Sequence, residues 1–329
     1  MKRVATAALA ALITGLCCWY VLTPAVLSAL ARLGSEAKWP PLLAAFALVA
    51  LVQWLRAWRF AVMTTGRLTP PDAAMLGIAL KLNFLNFVLP FRLGEFGYPA
   101  LMRRHYGHSL LRSAGILLLA RGLDLATVLA ILLAAAGLLT PASPGRLGLW
   151  FGALGCALAP LAPWALAHLG QAPWPRLAAG IRPATAVDAG AIWPALGQAS
   201  AGLALGLGFA IWGLFGLAAV CVAGAVTTSV PAAAAMLGAA AGNLAFALPV
   251  NGLAGLGPAQ AAWVLATTWA GVPHQDAVVS ALALHAVVLS NALLLGGLAI
   301  AGGFGRSGAL SDPRPLVPRP ADGQARKAH

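Results

Sequence analysis

Acidic side chains are scarce in this chain: Asp and Glu together number 8 in 329 residues, and all charged types make up 9%. A soluble domain carries about 25% charged residues, so the shortage excludes an ordinary water-soluble fold. It also leaves a divalent metal poorly supplied, because only Glu95 and Asp124 stand inside apolar segments. The signatures of common enzyme chemistry are missing, with no HExxH, no GxSxG and no glycine-rich phosphate loop. No metal, cofactor or enzymatic activity is therefore expected. Cys17, Cys18, Cys156 and Cys221 lie in apolar runs without metal-ligand spacing and read as small hydrophobes.

Apolar sequence is what the chain has in quantity: 60% of residues are hydrophobic and the mean hydropathy is +0.85. A membrane helix needs about 17–25 such residues. Segments near 4–30, 41–63, 110–139, 147–169, 192–222 and 277–303 meet that length. The first follows Met1-Lys2-Arg3 and exceeds the roughly 7–15 residues of a secretion-signal core, so it reads as an uncleaved span. Two more apolar stretches, 72–102 and 231–272, are interrupted by Pro and Gly. Residues 305–329 are rich in Pro, Gly and Arg and read as a disordered basic tail behind a membrane domain of residues 1–304.

The formal charge of +13 is an orientation signal rather than a nucleic-acid footprint. With the N-terminus in the cytoplasm, fifteen Lys and Arg fall on cytoplasmic segments, among them Arg56, Arg59, Arg67, Arg103, Arg104 and Arg112. Arg32, Lys38 and Arg146 remain outside. This bias places both termini in the cytoplasm after about six full crossings.

A few ionisable residues do not fit a loop. Lys81, Arg92 and Glu95 surround the break in "KLNFLNFVLPFRLGEFGYP", and Arg121 with Asp124 interrupts the apolar run after it. Each would cost about 2.5–3.5 kcal/mol exposed to lipid at the bilayer centre, so all five must face protein or a wet cavity. Three positive charges stand against two negative ones, a surplus suited to an anion. Arg121 and Asp124, spaced i,i+3, read equally as a structural ion pair locking two helices.

The two broken stretches resemble each other. "AAMLGIALKLNFLNFVLPFRLGEFG" starts at Ala73 and "AAMLGAAAGNLAFALPVNGLAGLG" at Ala234. Both run from the same five residues through Asn to Leu-Pro and a glycine-rich turn. The first is flanked by cytoplasmic charge on both sides, so it enters and leaves on one face as a re-entrant hairpin; the second does so from the opposite face. The expected fold is thus an all-α polytopic membrane protein, with six spans and two broken hairpins in an inverted repeat. Pro90 and Gly94 mark the first break, and Pro249, Gly255 and Gly257 the second.

Asn86, Leu89-Pro90, Arg92 and Gly94-Glu95, then "RRHYGHS", then Arg121 and Asp124, follow one another in an order that resembles a known family. It is the transmembrane flippase region of lysylphosphatidylglycerol synthase and its stand-alone relatives, similar over roughly residues 5–303. The second half departs from the family pattern: Gln260 stands where an acid is usual, and His285 where the last helix usually has Arg. The resemblance implies movement of an anionic phospholipid or polyprenyl-type lipid between leaflets of a bacterial inner membrane. The membrane lipid itself would be the partner, with a lipid-biosynthetic enzyme as a possible second one and no nucleic acid. Lysyl transfer is not expected, since the synthase's soluble domain is absent from this sequence.

On that reading Arg92 meets the lipid phosphate and Glu95, Arg121 and Asp124 form a switchable network. Lys81, Asn86, Gln260 and His285 complete the binding or gating set. Asn86 reads equally as satisfying broken backbone, and His285 as a helix–helix hydrogen bond. A non-transporting accessory protein of lipid or glycolipid synthesis is the competing reading, and an intramembrane enzyme with an unfamiliar site a third. A groove open sideways to lipid and reaching the charges would favour transport; a sealed cluster would favour the accessory role.

Overall fold

The structure is a computed structural model that describes Ser28 and residues 37–162, 198–248 and 253–303. The described residues are all-helical, with nine α-helices and no strand. In chain order these are α1 (Trp39–Thr65), α2 (Ala73–Val88), α3 (Gly97–Tyr106), α4 (Leu110–Leu139) and α5 (Pro144–Leu158). Then follow α6 (Gln198–Val226), α7 (Ala232–Ala247), α8 (Pro258–Trp269) and α9 (His274–Ala301). Tight 3-10 turns occupy Pro90–Phe96, Ala159–Leu161 and Leu253–Gly255.

Four of the helices, α1, α4, α6 and α9, are long and apolar enough to cross a membrane. They match the segments expected near 41–63, 110–139, 192–222 and 277–303. The segment near 147–169 is seen as α5 and the turn after it, and its continuation lies outside the described residues. So do the first span (Ser28 apart), Pro249 and the tail 305–329.

Local chemistry explains where these helices start and stop. Proline stands in the first turn of α1, where its missing N–H costs nothing, and Gly66 closes the helix at φ 68°. Asp72 caps α2 by accepting from Met75 N at 2.7 Å, and Ser109 caps α4 by accepting from Arg112 N at 3.2 Å.

Helices α1 and α6 form the axis of the molecule and run antiparallel. Lys38 N donates to Ala225 O at one end (3.0 Å), and Ser200 Oγ to Gly66 O at the other (2.6 Å). The first hairpin, α2 and α3, starts from the Gly66 end. Its own two ends are tied, because Tyr106 OH donates to Asp72 Oδ1 at 2.7 Å. The second hairpin, α7 and α8, starts from the opposite end, where Ser229 donates to Asp276 at the head of α9. Each hairpin returns to the end it left.

Packing follows the same division. One apolar cluster joins the hairpin α2–α3 to the Val52–Met63 part of α1 and the Ala201–Trp212 part of α6. The other joins α7 and α8 to Ala45 and Val49 of α1 and to Ala218–Ala223 of α6. The first helix of each hairpin also crosses to the other half, α2 against α9 and α7 against α4. At the α2–α9 crossing a Cβ on Gly296 would run into Phe84, so the small residue sets the approach.

Two residues are not where the charge pattern puts them. Arg56 and Arg59 are not on a cytoplasmic loop: both lie within α1, and Arg59 is 1% exposed. Their intramembrane charges are balanced as described below.

Asp72 carries both the α2 cap and the tie across the hairpin mouth, so Asp72→Ala should cost about 1–3 kcal/mol. Asp72→Asn, which keeps the cap oxygen, should cost less. Thermal unfolding in detergent measures this order, and an unchanged Tm for Asp72→Ala would contradict it.

Candidate functional site

The hairpin tips meet inside the helical bundle. Phe87, near the end of α2, stacks on Phe246, near the end of α7, with ring centroids 5.4 Å apart. Gly255, at φ 74°, lies against both rings, and a Cβ there would come within 3.0 Å of Phe246. Gly94 is pressed as closely onto the end of α2, where an added Cβ would lie 2.6 Å from Asn86 N. These contacts leave no room for larger residues at either glycine.

Arg92 sits in the first break at φ 54°, a left-handed conformation that costs about 1–2 kcal/mol for a residue with a Cβ. Its side chain shows what holds it there. The guanidinium pairs with Glu95, donates to Phe246 O (3.1 Å) and lies 5.2 Å from the Phe246 ring centroid. That carbonyl belongs to the last turn of α7, the negative end of the helix, where a cation is favoured. Arg92 is thus a strap between the two hairpins. The second break has its own non-glycine residue at φ 54°, Ala254.

Asp124 is the node of the charge network. Its carboxylate accepts from Arg59 Nη2 at 2.7 Å, Trp212 Nε1 at 2.8 Å and Arg121 Nη1 at 3.0 Å. Arg121 reaches on to Glu95 Oε1 at 2.9 Å, and Glu95 also pairs with Arg92. One chain of ion pairs therefore runs from α1 through α4 to the first hairpin. Side-chain exposure rises from 2% at Arg59 and 9% at Asp124 to a maximum of 30% at Arg121, then falls to 21% at Glu95 and 12% at Arg92. The inner pair is sealed while the outer arginine is accessible.

The accessible end opens into a cavity of about 720 Å³ between the two hairpins. The charged residues Arg56, Arg92, Glu95, Arg121 and Asp124 line it, together with the neutral Asn243, Gln260 and His285. Phe96, Leu118 and Leu125 also line it, and are 79%, 69% and 51% exposed. Leu118 and Leu125 lie within α4, away from both its ends, so the mouth opens sideways on the flank of the bundle. With Arg59 behind Asp124, four arginines meet two carboxylates here, a surplus of two positive charges among the described residues rather than one.

The second hairpin replaces charge with a neutral pair. Gln260 Oε1 accepts from Gly257 N at 2.7 Å and caps α8, while its Nε2 contacts His285 Nδ1 at 2.9 Å. The two departures from the family pattern therefore touch each other, as Glu95 touches Arg121 in the first half. Asn83 and Asn86 line the cavity, and Asn243, also in its lining, donates back to Ala239 O at 2.7 Å. Lys81 does not join this group: it is half-buried outside the cavity lining, close enough to His105 to act on it electrostatically. Arg56, Arg59 and Trp212 are additions that the motif pattern did not single out.

Asp124→Asn removes the counter-charge of a sealed arginine, a loss of about 3–5 kcal/mol. Arg121→Gln leaves Glu95 with Arg92 and Asp124 with Arg59, so it should be milder. Folded protein recovered from membranes should fall sharply for the first variant and stay near wild type for the second. Equal recovery would contradict the node. Exchanging the pair, Arg121→Asp with Asp124→Arg, should not rescue folding, since the new arginine would face Arg59.

Comparison with known proteins agrees with this architecture at the level of family. The family described as the lysylphosphatidylglycerol synthase TM region matches residues 7–296. No curated protein and no solved structure matches the chain. The described helices fall inside that match apart from the last residues of α9, and the chain belongs to the lysylphosphatidylglycerol synthase TM region family.

Proposed function

We propose that this protein moves lipids with an anionic headgroup between the leaflets of a bacterial inner membrane. The headgroup would pass through the cavity between the hairpins while the acyl or prenyl tails stay in surrounding lipid. The observation that carries this reading is the sideways mouth: exposed apolar residues lead directly to arginines in surplus over their carboxylates. A protein with only an accessory role has no need of such an opening. Family membership supports a membrane lipid as the molecule handled.

The two hairpins fit the halves of an inverted repeat. Supporting this, they start from opposite ends of the α1–α6 pair and each leans on the long helix of the other half. Arg67, Arg103, Arg104 and Arg112 gather at the Gly66 end, against Lys38 and Arg146 at the other. With Arg56 and Arg59 removed from the count, thirteen basic residues still stand against three. On that bias the 103–112 loop and both termini would be cytoplasmic.

The direct test is reconstitution. Proteoliposomes with headgroup-labelled phosphatidylglycerol should equilibrate label between leaflets faster than empty vesicles, as read by quenching from outside. Rates equal to those of empty vesicles would overturn the proposal. Orientation has a separate test in a cysteine-free background. A cysteine at Gly107 should label from the cytoplasm and one at Ser143 from outside, and the reverse pattern would overturn the orientation.

A further inference from the structure

The arginines around the cavity are not equivalent. Arg59 pairs with Asp124, Arg92 with Glu95, and Arg121 with both carboxylates. Arg56 lines the same cavity, but no hydrogen bond or ion pair ties its guanidinium to any described residue. Instead it is stacked over the Trp212 ring, 5.1 Å from the centroid. The indole cannot swing away easily, because its Nε1 donates to Asp124 at 2.8 Å. A cation over a fixed aromatic face is oriented without using its N–H donors. Arg56 therefore presents an unspent fork where the network has positive charge to spare.

The remaining lining limits what else the ligand contains. Both carboxylates at the cavity, Glu95 and Asp124, are already held by arginines. The same lining also offers amides and an imidazole, from Asn243, Gln260 and His285. Such groups exchange hydrogen bonds with hydroxyls but supply no negative charge. An ammonium entering here would meet surplus arginine and no available acid among the described residues.

We propose that Arg56 binds the phosphate of the lipid headgroup, and that the rest of that headgroup is uncharged and hydroxyl-rich, a polyol or a sugar. This rests on the lipid-moving reading and specifies its substrate class. It also assigns phosphate contact to Arg56 in place of Arg92, whose Nη1 and Nη2 serve the hairpin strap.

The test is equilibrium binding to the purified full-length protein in detergent, with Tm recorded for each variant. The probes are short-chain phosphatidylglycerol, its lysyl ester, phosphatidylcholine and inorganic phosphate. Phosphatidylglycerol should bind best, and Arg56→Gln should weaken it about 10- to 100-fold, the effect of losing a charge-assisted hydrogen bond. Arg56→Lys should fall between, since it keeps the charge and loses the fork. The lysyl ester should bind at least about tenfold more weakly than its parent, through unbalanced like charge. Unchanged affinity in Arg56→Gln with a normal Tm would overturn the site. If that variant does not fold, unchanged affinity in Arg56→Lys would do so. A lysyl ester as tight as phosphatidylglycerol would overturn the substrate class, and inorganic phosphate as tight as the lipid would overturn the headgroup assignment. Transport is scored separately: binding through Arg56 without leaflet transfer removes the carrier reading alone, while transfer unaffected by Arg56→Gln removes this site alone.

Discussion

The Asp124 carboxylate accepts from Arg59, Arg121 and Trp212, and so draws α1, α4 and α6 to one point within the bundle. The hydrocarbon region offers Arg59 no counter-charge, so leaving it unpaired there would be costly. Much else follows from the pairing. Trp212 is fixed and becomes the surface on which Arg56 lies. Arg121 is held at one end and reaches Glu95 with the other, which brings the first hairpin's break to the network. The cavity is what remains between that network and the second hairpin.

The hairpins solve a backbone problem as well as an electrostatic one. A broken helix inside a membrane exposes carbonyls that lipid cannot satisfy. Arg92 answers this by donating to Phe246 O across the interface, while Gln260 satisfies a freed donor instead, accepting from Gly257 N within its own hairpin. One break is held by an ion pair and the other by a neutral amide–imidazole contact. The asymmetry gives the cavity a lining in which surplus arginine is joined by neutral amides and an imidazole suited to hydroxyl groups.

Much of the fold was legible in the sequence because membrane constraints are severe. Apolar length located α4 at its observed bounds despite the charges at Arg121 and Asp124, and the clustered Pro and Gly of the 90–99 stretch located the first hairpin's turn. Arg121 and Asp124 were visible as charges in an apolar helix. Arg56 and Arg59 were equally visible, since the expected span 41–63 already contained them. Counting them toward loop charge hid the pairing with Asp124, which is 65 residues away from Arg59. The orientation rule sees charge near a span end and cannot see depth. Lys81 shows the converse limit. Asn83 and Asn86, three residues apart, share the face of α2 that lines the cavity. Lys81 is two residues before Asn83, roughly 200° around the helix, and so lies elsewhere. Sequence placed it on the right element, but only packing chose the face.

Lipid contact at the cavity wall is the most direct measure of the central claim, because it needs no assumption about energy source or direction. A photo-reactive residue at Leu117, in the cavity lining, can be compared with one at Leu138, which is 57% exposed and outside the lining. After irradiation in native membranes and mass spectrometry, adducts at Leu117 should be enriched in anionic lipid relative to those at Leu138. Adducts of the same lipid composition at both positions, or none at Leu117, would contradict a lipid pathway through the cavity.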